Sequence, residues 1–213
     1  MFRKGVIHTM KIICSKSSLL KSVSIALKAV PSKTTMPILE CILMDATTNQ
    51  IKFTTNDMEL GIETIVEGTI EEKGKVALDA KIFYEIIRRL PDNDVTIKTD
   101  DKYAATITCE KAKFNIPGKS GEDFAYLPII EKDEPLTISQ YTLKEMIRQT
   151  IFSIAVNENN KLMTGELFEI KNNCLKVVSL DGHRISIRKM SLKKDYSDRK
   201  VVVPGKTLSE VSK

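Results

Sequence analysis

Asp181 and His183, in the segment Ser179-Leu-Asp-Gly-His-Arg-Ile185, are the one pair in the body of the chain with the residue types and spacing for acid–base chemistry. A serine would have to serve as nucleophile beside them. Nothing completes the set: there is no Gly-x-Ser-x-Gly, no phosphate-cradling glycine loop and no histidine cluster for a metal. The other histidine, His8, stands in an N-terminal stretch with no partner residues of this kind. Cys14, Cys41, Cys109 and Cys174 are far apart, form no Cys-x-x-Cys pair and sit in apolar runs, so they read as buried free thiols. Asp57 holds the place of Asp181 in an earlier repeat and has no histidine near it, which makes a shared structural turn the simpler reading of both aspartates. A non-catalytic protein without metal or cofactor is therefore expected.

A different chemistry comes from cations set into helical patterns. Lys21 and Lys28 flank the apolar series Leu19, Leu20, Val23, Ala26 and Leu27; Lys81, Arg88 and Arg89 decorate Ile82, Phe83, Ile86, Ile87 and Leu90; Lys144 and Arg148 do the same further on. Cations on rigid helices neutralise phosphates, which every duplex presents alike, and so need no base contacts. The formal net charge of +5 is too small to decide this alone, because Arg3 and Lys4 at the N-terminus supply two of it. On composition a solvated surface is the simpler reading, and position must choose.

The elements that carry these residues are those of a globular α+β chain. At 213 residues with 42% apolar and 29% charged content, the chain can bury one or two cores and has no linker-like tract. A strand at 11–14 leads into a helix from about Ser18 to Val30-Pro31, followed by strands at 38–45, 51–55 and 58–67. The pattern restarts with a strand at 75–78, Asp79 as N-cap, the second helix, and strands at 95–98, 104–109 and 113–116. A strand at 136–138 then leads into Thr142-Leu-Lys-Glu145, which has capping-box spacing. No N-terminal run resembles a signal peptide and none is long enough to span a bilayer, so a cytoplasmic protein with no membrane contact is expected.

The chain also copies itself. Leu20-Lys21 recurs as Leu143-Lys144, Asn49 as Asn173, Lys52 as Lys176, Asp57 as Asp181 and Lys75-Val76 as Lys200-Val201, at a spacing of about 124 residues. A second unit as long as the first would run to about residue 257, so the chain reads as ending inside a repeat, at a stretch equivalent to the helix around Lys81.

Lys33-Thr-Thr-Met-Pro-Ile-Leu39, Phe83-Tyr-Glu-Ile-Ile-Arg-Arg-Leu-Pro91, Phe152-Ser-Ile-Ala155 and Ser179 to Ile185, in this order and spacing, resemble the bacterial DNA polymerase III β-subunit family, the sliding clamps. The likeness runs from Met10 to Lys213. It implies a DNA-clamp fold of tandem repeated domains with helices on the inner face and antiparallel sheets outside, and two full-length chains closing a ring around double-stranded DNA. It also implies clamp domain I over 10–133, a truncated domain II over 134–213, an absent domain III, and an extra segment, 1–9, expected to be disordered. The implied activity is that of a polymerase processivity factor. An alternative is a clamp-like module that binds clamp partners without forming a ring.

The same resemblance assigns roles. Lys33 and Asn157 match DNA-contacting loop positions, otherwise ordinary solvated residues; Lys21, Lys28, Lys81, Arg88, Lys144 and Arg148 join them by helix position. Met163, Leu180, Gly182, His183, Arg184 and Ile185 match the cleft that takes short hydrophobic motifs of the DNA polymerase III α subunit, the clamp loader and other clamp-motif proteins. Without the resemblance, Asp181-Gly182 is only a turn and His183 a packed core residue. Lys111, Lys113 and Phe114 match the edge of domain I that meets the other subunit of the homodimer, Phe114 being otherwise a core residue.

Overall fold

The computed structural model describes residues 9–125, 127, 134–156 and 160–213. They fall into two compact units, Met1–Pro128 and Ile129–Lys213.

The first unit runs β1 (Lys11–Ser15), α1 (Lys16–Ala26), β2 (Cys41–Asp45), β3 (Ile51–Asn56), β4 (Gly61–Val66), β5 (Thr69–Glu72), β6 (Lys75–Asp79), α2 (Ala80–Arg89), β7 (Asp94–Thr99), β8 (Ala105–Cys109), β9 (Ala112–Ile116) and β10 (Gly118–Ser120). Its strands form two antiparallel sheets, ordered β5-β1-β7-β8-β9 and β10-β6-β2-β3-β4. Ile12, Leu19, Ile42, Phe53, Leu78, Phe83 and Ile97 are fully buried in one core shared by both sheets, α1 and α2. Ser15 and Asp79 cap the two helices, accepting from the Ser18 amide at 3.2 Å and the Ile82 amide at 2.8 Å. The Thr55 hydroxyl donates to the Ala26 carbonyl at 2.5 Å, tying the end of α1 to β3.

The second unit runs α3 (Gln140–Arg148), β11 (Gly165–Lys171), β12 (Cys174–Leu180), β13 (Ile185–Ser191), β14 (Arg199–Pro204) and α4 (Gly205–Val211), with one antiparallel sheet ordered β13-β12-β11-β14. Strand register shows the duplication directly. Asp45 of β2 stands opposite Lys52 and Lys75, and Glu169 of β11 stands opposite Lys176 and Lys200. Likewise Ile42 faces Leu78 where Glu166 faces Val203. The acid–base row has been rewired between copies. In the second unit Glu169 bridges both lysines, which hold its carboxyl down at about 2; in the first, Lys52 pairs with Glu63 and Lys75 with Glu122.

Several elements differ from the sequence-based expectation. Pro37–Glu40 forms a 3-10 turn rather than the start of a strand, since proline at its first position favours a helical turn. Residues 57–60 are a turn, with Asp57 accepting from the Glu59 and Leu60 amides, so β4 begins only at Gly61. Leu136 and Ile138 pack on the second core without strand pairing. The third helix is capped one turn earlier than the Thr142 spacing implies: Ser139 accepts from the Thr142 amide at 3.1 Å, and Glu145 turns to Arg148 instead of reaching back. All four cysteines are free, three of them buried.

Candidate nucleic-acid interface and peptide cleft

Lys21, Lys28, Lys81 and Arg88 are exposed on or just after the two helices of the first unit, and Lys144 and Arg148 on α3 of the second. Their apolar neighbours Leu19, Val23, Phe83 and Ile87 are buried, which fixes the cationic side outward. Arg88 is held by Glu85 at 2.7 Å and lies 6.0 Å over the Tyr84 ring, and Arg148 grips Glu145 with two bonds of 2.8 and 2.9 Å. These partners hold both glutamates below the ordinary carboxylate range. Exposed pairs of this kind are weak, so each guanidinium can exchange carboxylate for phosphate. Lys33 is exposed on the loop after α1; Asn157 lies outside the described residues, as do residues 1–8 of the N-terminal segment and residues 128–133 at the expected domain boundary.

The second candidate surface is built on the β12–β13 hairpin. Leu180 and Ile185 are the last cross-strand pair before the loop. Asp181 closes that loop, accepting from the His183 amide at 3.0 Å, the Arg184 amide at 3.1 Å and the Arg184 Nε at 2.8 Å. The His183 amide leads in holding the Asp181 carboxyl below its usual range. Asp181 thus serves the backbone of His183, and no Asp–His acid–base pair forms through that loop. Gly182 sits at φ +86°, a left-handed conformation that favours glycine. His183 is exposed, which overturns the packed-core alternative for it. Asp181→Ala should raise hydrogen exchange at the His183 and Arg184 amides by about fivefold, read by NMR; unchanged exchange would show that the loop holds without it.

Met163 reaches the hairpin through one chain of contacts. Its carbonyl accepts from the Ala155 amide at 2.9 Å, and Ser153, in the 3-10 turn Ile151–Ser153, bonds Ser186 at 2.7 Å beside Ile185. Leu180 is 39% exposed, Ile185 60% and Ile187 53%. By strand register Val178 stands opposite Ile187, Leu167 opposite Val178 and Val202 opposite Leu167, so an apolar stripe crosses one face of the sheet beside the row of Glu169, Lys176 and Lys200. Its counterpart in the first unit is covered: Phe124 packs on Cys41, Leu43 and Ala77. Ile187, Val178, Leu167 and Val202 were missed from sequence; alternation in β13 marks Ile187, and the other three join it only through the strand order. Leu162 and Val156, both exposed, lie next in the chain to Met163 and Ala155.

The third surface is the outer edge of β9, which pairs with β8 alone in its sheet. Lys111 and Lys113 are exposed and Phe114 is 40% exposed, so Phe114 is not a core residue. With Lys81, Ile82, Glu85, Ile86 and Arg89 it lines a groove of about 350 Å³. Ile82, expected on the buried stripe of α2, is instead exposed here, and Lys81 belongs to this groove as well as to the helix surface. Among the described residues no cluster of three or more metal-ligating side chains occurs, and no helix is long and apolar enough to cross a membrane.

Two duplicated α+β units with helices on antiparallel sheets define a DNA-clamp fold. A crystal structure of a DNA polymerase III β subunit from Eubacterium rectale matches with a TM-score of 0.92 at 68% identity, over 95% of this chain and 56% of that one. The sliding clamp of Bacillus subtilis matches with a TM-score of 0.91 at 34% identity, over 95% and 56%. The chain belongs to the DNA polymerase III β-subunit family, whose N-terminal domain matches residues 10–128 and whose central domain matches residues 137–213. Among curated relatives, the β sliding clamps of Bacillus subtilis and Halalkalibacterium halodurans are 36% and 33% identical over 96% of this chain. The chain spans 56% and 57% of their lengths, respectively.

Proposed function

We propose that this chain is a sliding-clamp module, with clamp domains over 10–133 and 134–213, that holds duplex DNA against its cationic helices and docks hydrophobic peptide motifs on the β12–β13 face. It acts without catalysis, in the cytoplasm at the nucleoid, as part of a DNA polymerase processivity factor. The observation that carries this reading is the repeat itself: both copies bury the apolar stripe of a helix and leave lysines on its solvent side. Lys33 and Asn157 add loop contacts to phosphate. The groove at Phe114, with Lys111 and Lys113, is the edge that meets a second subunit in the homodimeric ring. Partners at the cleft are the polymerase III α subunit, the clamp loader and other motif-bearing proteins.

Backbone-only binding has a measurable signature. The slope of log affinity against log salt flattens by about 0.9 for each phosphate that is no longer neutralised. Lys21→Ala with Lys144→Ala is expected to flatten that slope by about 1.8 for any duplex sequence, measured by fluorescence anisotropy on the whole chain. A slope unchanged by the two substitutions would remove the helices from the interface.

A second reading, an interaction module that binds clamp partners without encircling DNA, is favoured by the apolar face of the second unit, where Leu180, Ile185 and Ile187 are exposed among the described residues. Retention on nicked circular but not linear duplex separates the two, since only a closed ring is trapped on a circle.

A further inference from the structure

Glu166 occupies the place that Ile42 holds in the first copy, opposite Val203 where Ile42 is opposite Leu78. It points to the side of β11 that carries Ile170 into the second core, and it is completely buried. Among the described residues neither of its carboxylate oxygens has a hydrogen-bond partner. The Thr150 hydroxyl is committed to the Met146 and Ile147 carbonyls. On α4, which packs against β11, the buried Thr207 hydroxyl is likewise without a partner among them. An ionised carboxylate in such a site is strongly disfavoured unless something pairs with it.

Among the described residues no neighbouring element supplies that pair. Lys176 of β12 and Lys200 of β14 are drawn to Glu169, and Arg199 of β14 to Glu134. On α3, Glu145 and Arg148 bind one another, and on α4 Glu210 binds Lys213 while Lys206 is exposed. Lys161, in the turn before β11, is exposed too. No charge contributes to the titration of Glu166.

We propose that Glu166 makes the second unit proton-sensitive: with the acid neutral, β11 and β14 close as β2 and β6 do in the first unit, and with the acid ionised that layer opens locally to hydrate the carboxylate. Burial pushes the Glu166 carboxyl up to about 7, with Thr150 acting in the opposite sense. The closed state therefore holds a proton that the open state releases. Its advantage is complete below the ordinary value of 4.5 and is lost as pH rises through about 7.

The test is hydrogen exchange by mass spectrometry on the whole chain at about pH 6 and about pH 8, corrected for intrinsic rates. Protection of β11 and β14 should fall about tenfold between the two, with β2 and β6 unchanged. Glu166→Gln should abolish the pH dependence, and Glu166→Met should hold the layer closed at both. Protection that is flat in the original chain, or a pH effect that survives in Glu166→Met, would overturn the proposal. If Glu166→Gln does not fold, the methionine variant decides.

Discussion

Replacing Phe53 with alanine is expected to lower the stability of the first unit by about 3–5 kcal/mol, the range for emptying a buried aromatic site. Phe53 is fully buried on β3 and meets Phe83 of α2 edge to face, centroids 6.1 Å apart at 82°. One side chain thus joins the β10-β6-β2-β3-β4 sheet to a helix, and its removal leaves a void lined by Phe83 and neighbours held by their own elements. An aliphatic replacement, Phe53→Leu, should cost less, because part of the volume is refilled. Urea unfolding followed by exchange at β3 amides measures the first unit separately from the second, which matters in a chain of two cores. A Phe53→Ala chain that unfolds at the original midpoint would mean the two layers do not depend on this contact.

The core of the first unit was legible because local chemistry agreed with the fold. Alternation in β4, the Asp79 cap and the apolar series of α1 and α2 each specify one geometry. The errors came where two local solutions compete. Ser139 and Thr142 can both cap a helix, and the structure uses the earlier one while the Thr142 side chain bonds Ser139. Leu136 and Ile138 alternate as a strand does, but pairing needs a partner edge and they have none among the described residues.

The candidate sites were less legible for a different reason. Leu180 and Ile185 could be named from a local motif, whereas the stripe they belong to exists only once the order β13-β12-β11-β14 is known. Glu166 shows the same limit. In Gly-Glu-Leu-Phe-Glu-Ile either set of alternate residues could face the core, and the copy with a polar residue there is the less obvious choice.

That stripe gives the largest expected effect on binding. Leu180→Asp with Ile185→Asp should weaken a labelled peptide carrying the polymerase III α clamp-binding motif by about 30- to 1,000-fold, the loss of 2–4 kcal/mol typical of anchor positions. Folding should barely respond, since both side chains are already in contact with water and surface substitutions rarely move stability by more than about 0.5 kcal/mol. The separation of the two effects is what distinguishes a docking face from a packing face. Ile65→Asp, on the equivalent edge strand of the first unit, is the control: it adds a carboxylate to an exposed apolar position outside the stripe and should leave the peptide affinity unchanged. Equal losses from Ile65→Asp would point to charge repulsion rather than a missing pocket, and full affinity in the double variant would take the peptide off this face. β4 and β13 are equivalent by duplication, and among the described residues Phe124 covers the adjoining sheet in the first unit while Ile185 and Ile187 stay exposed in the second, so the peptide is expected on the second unit.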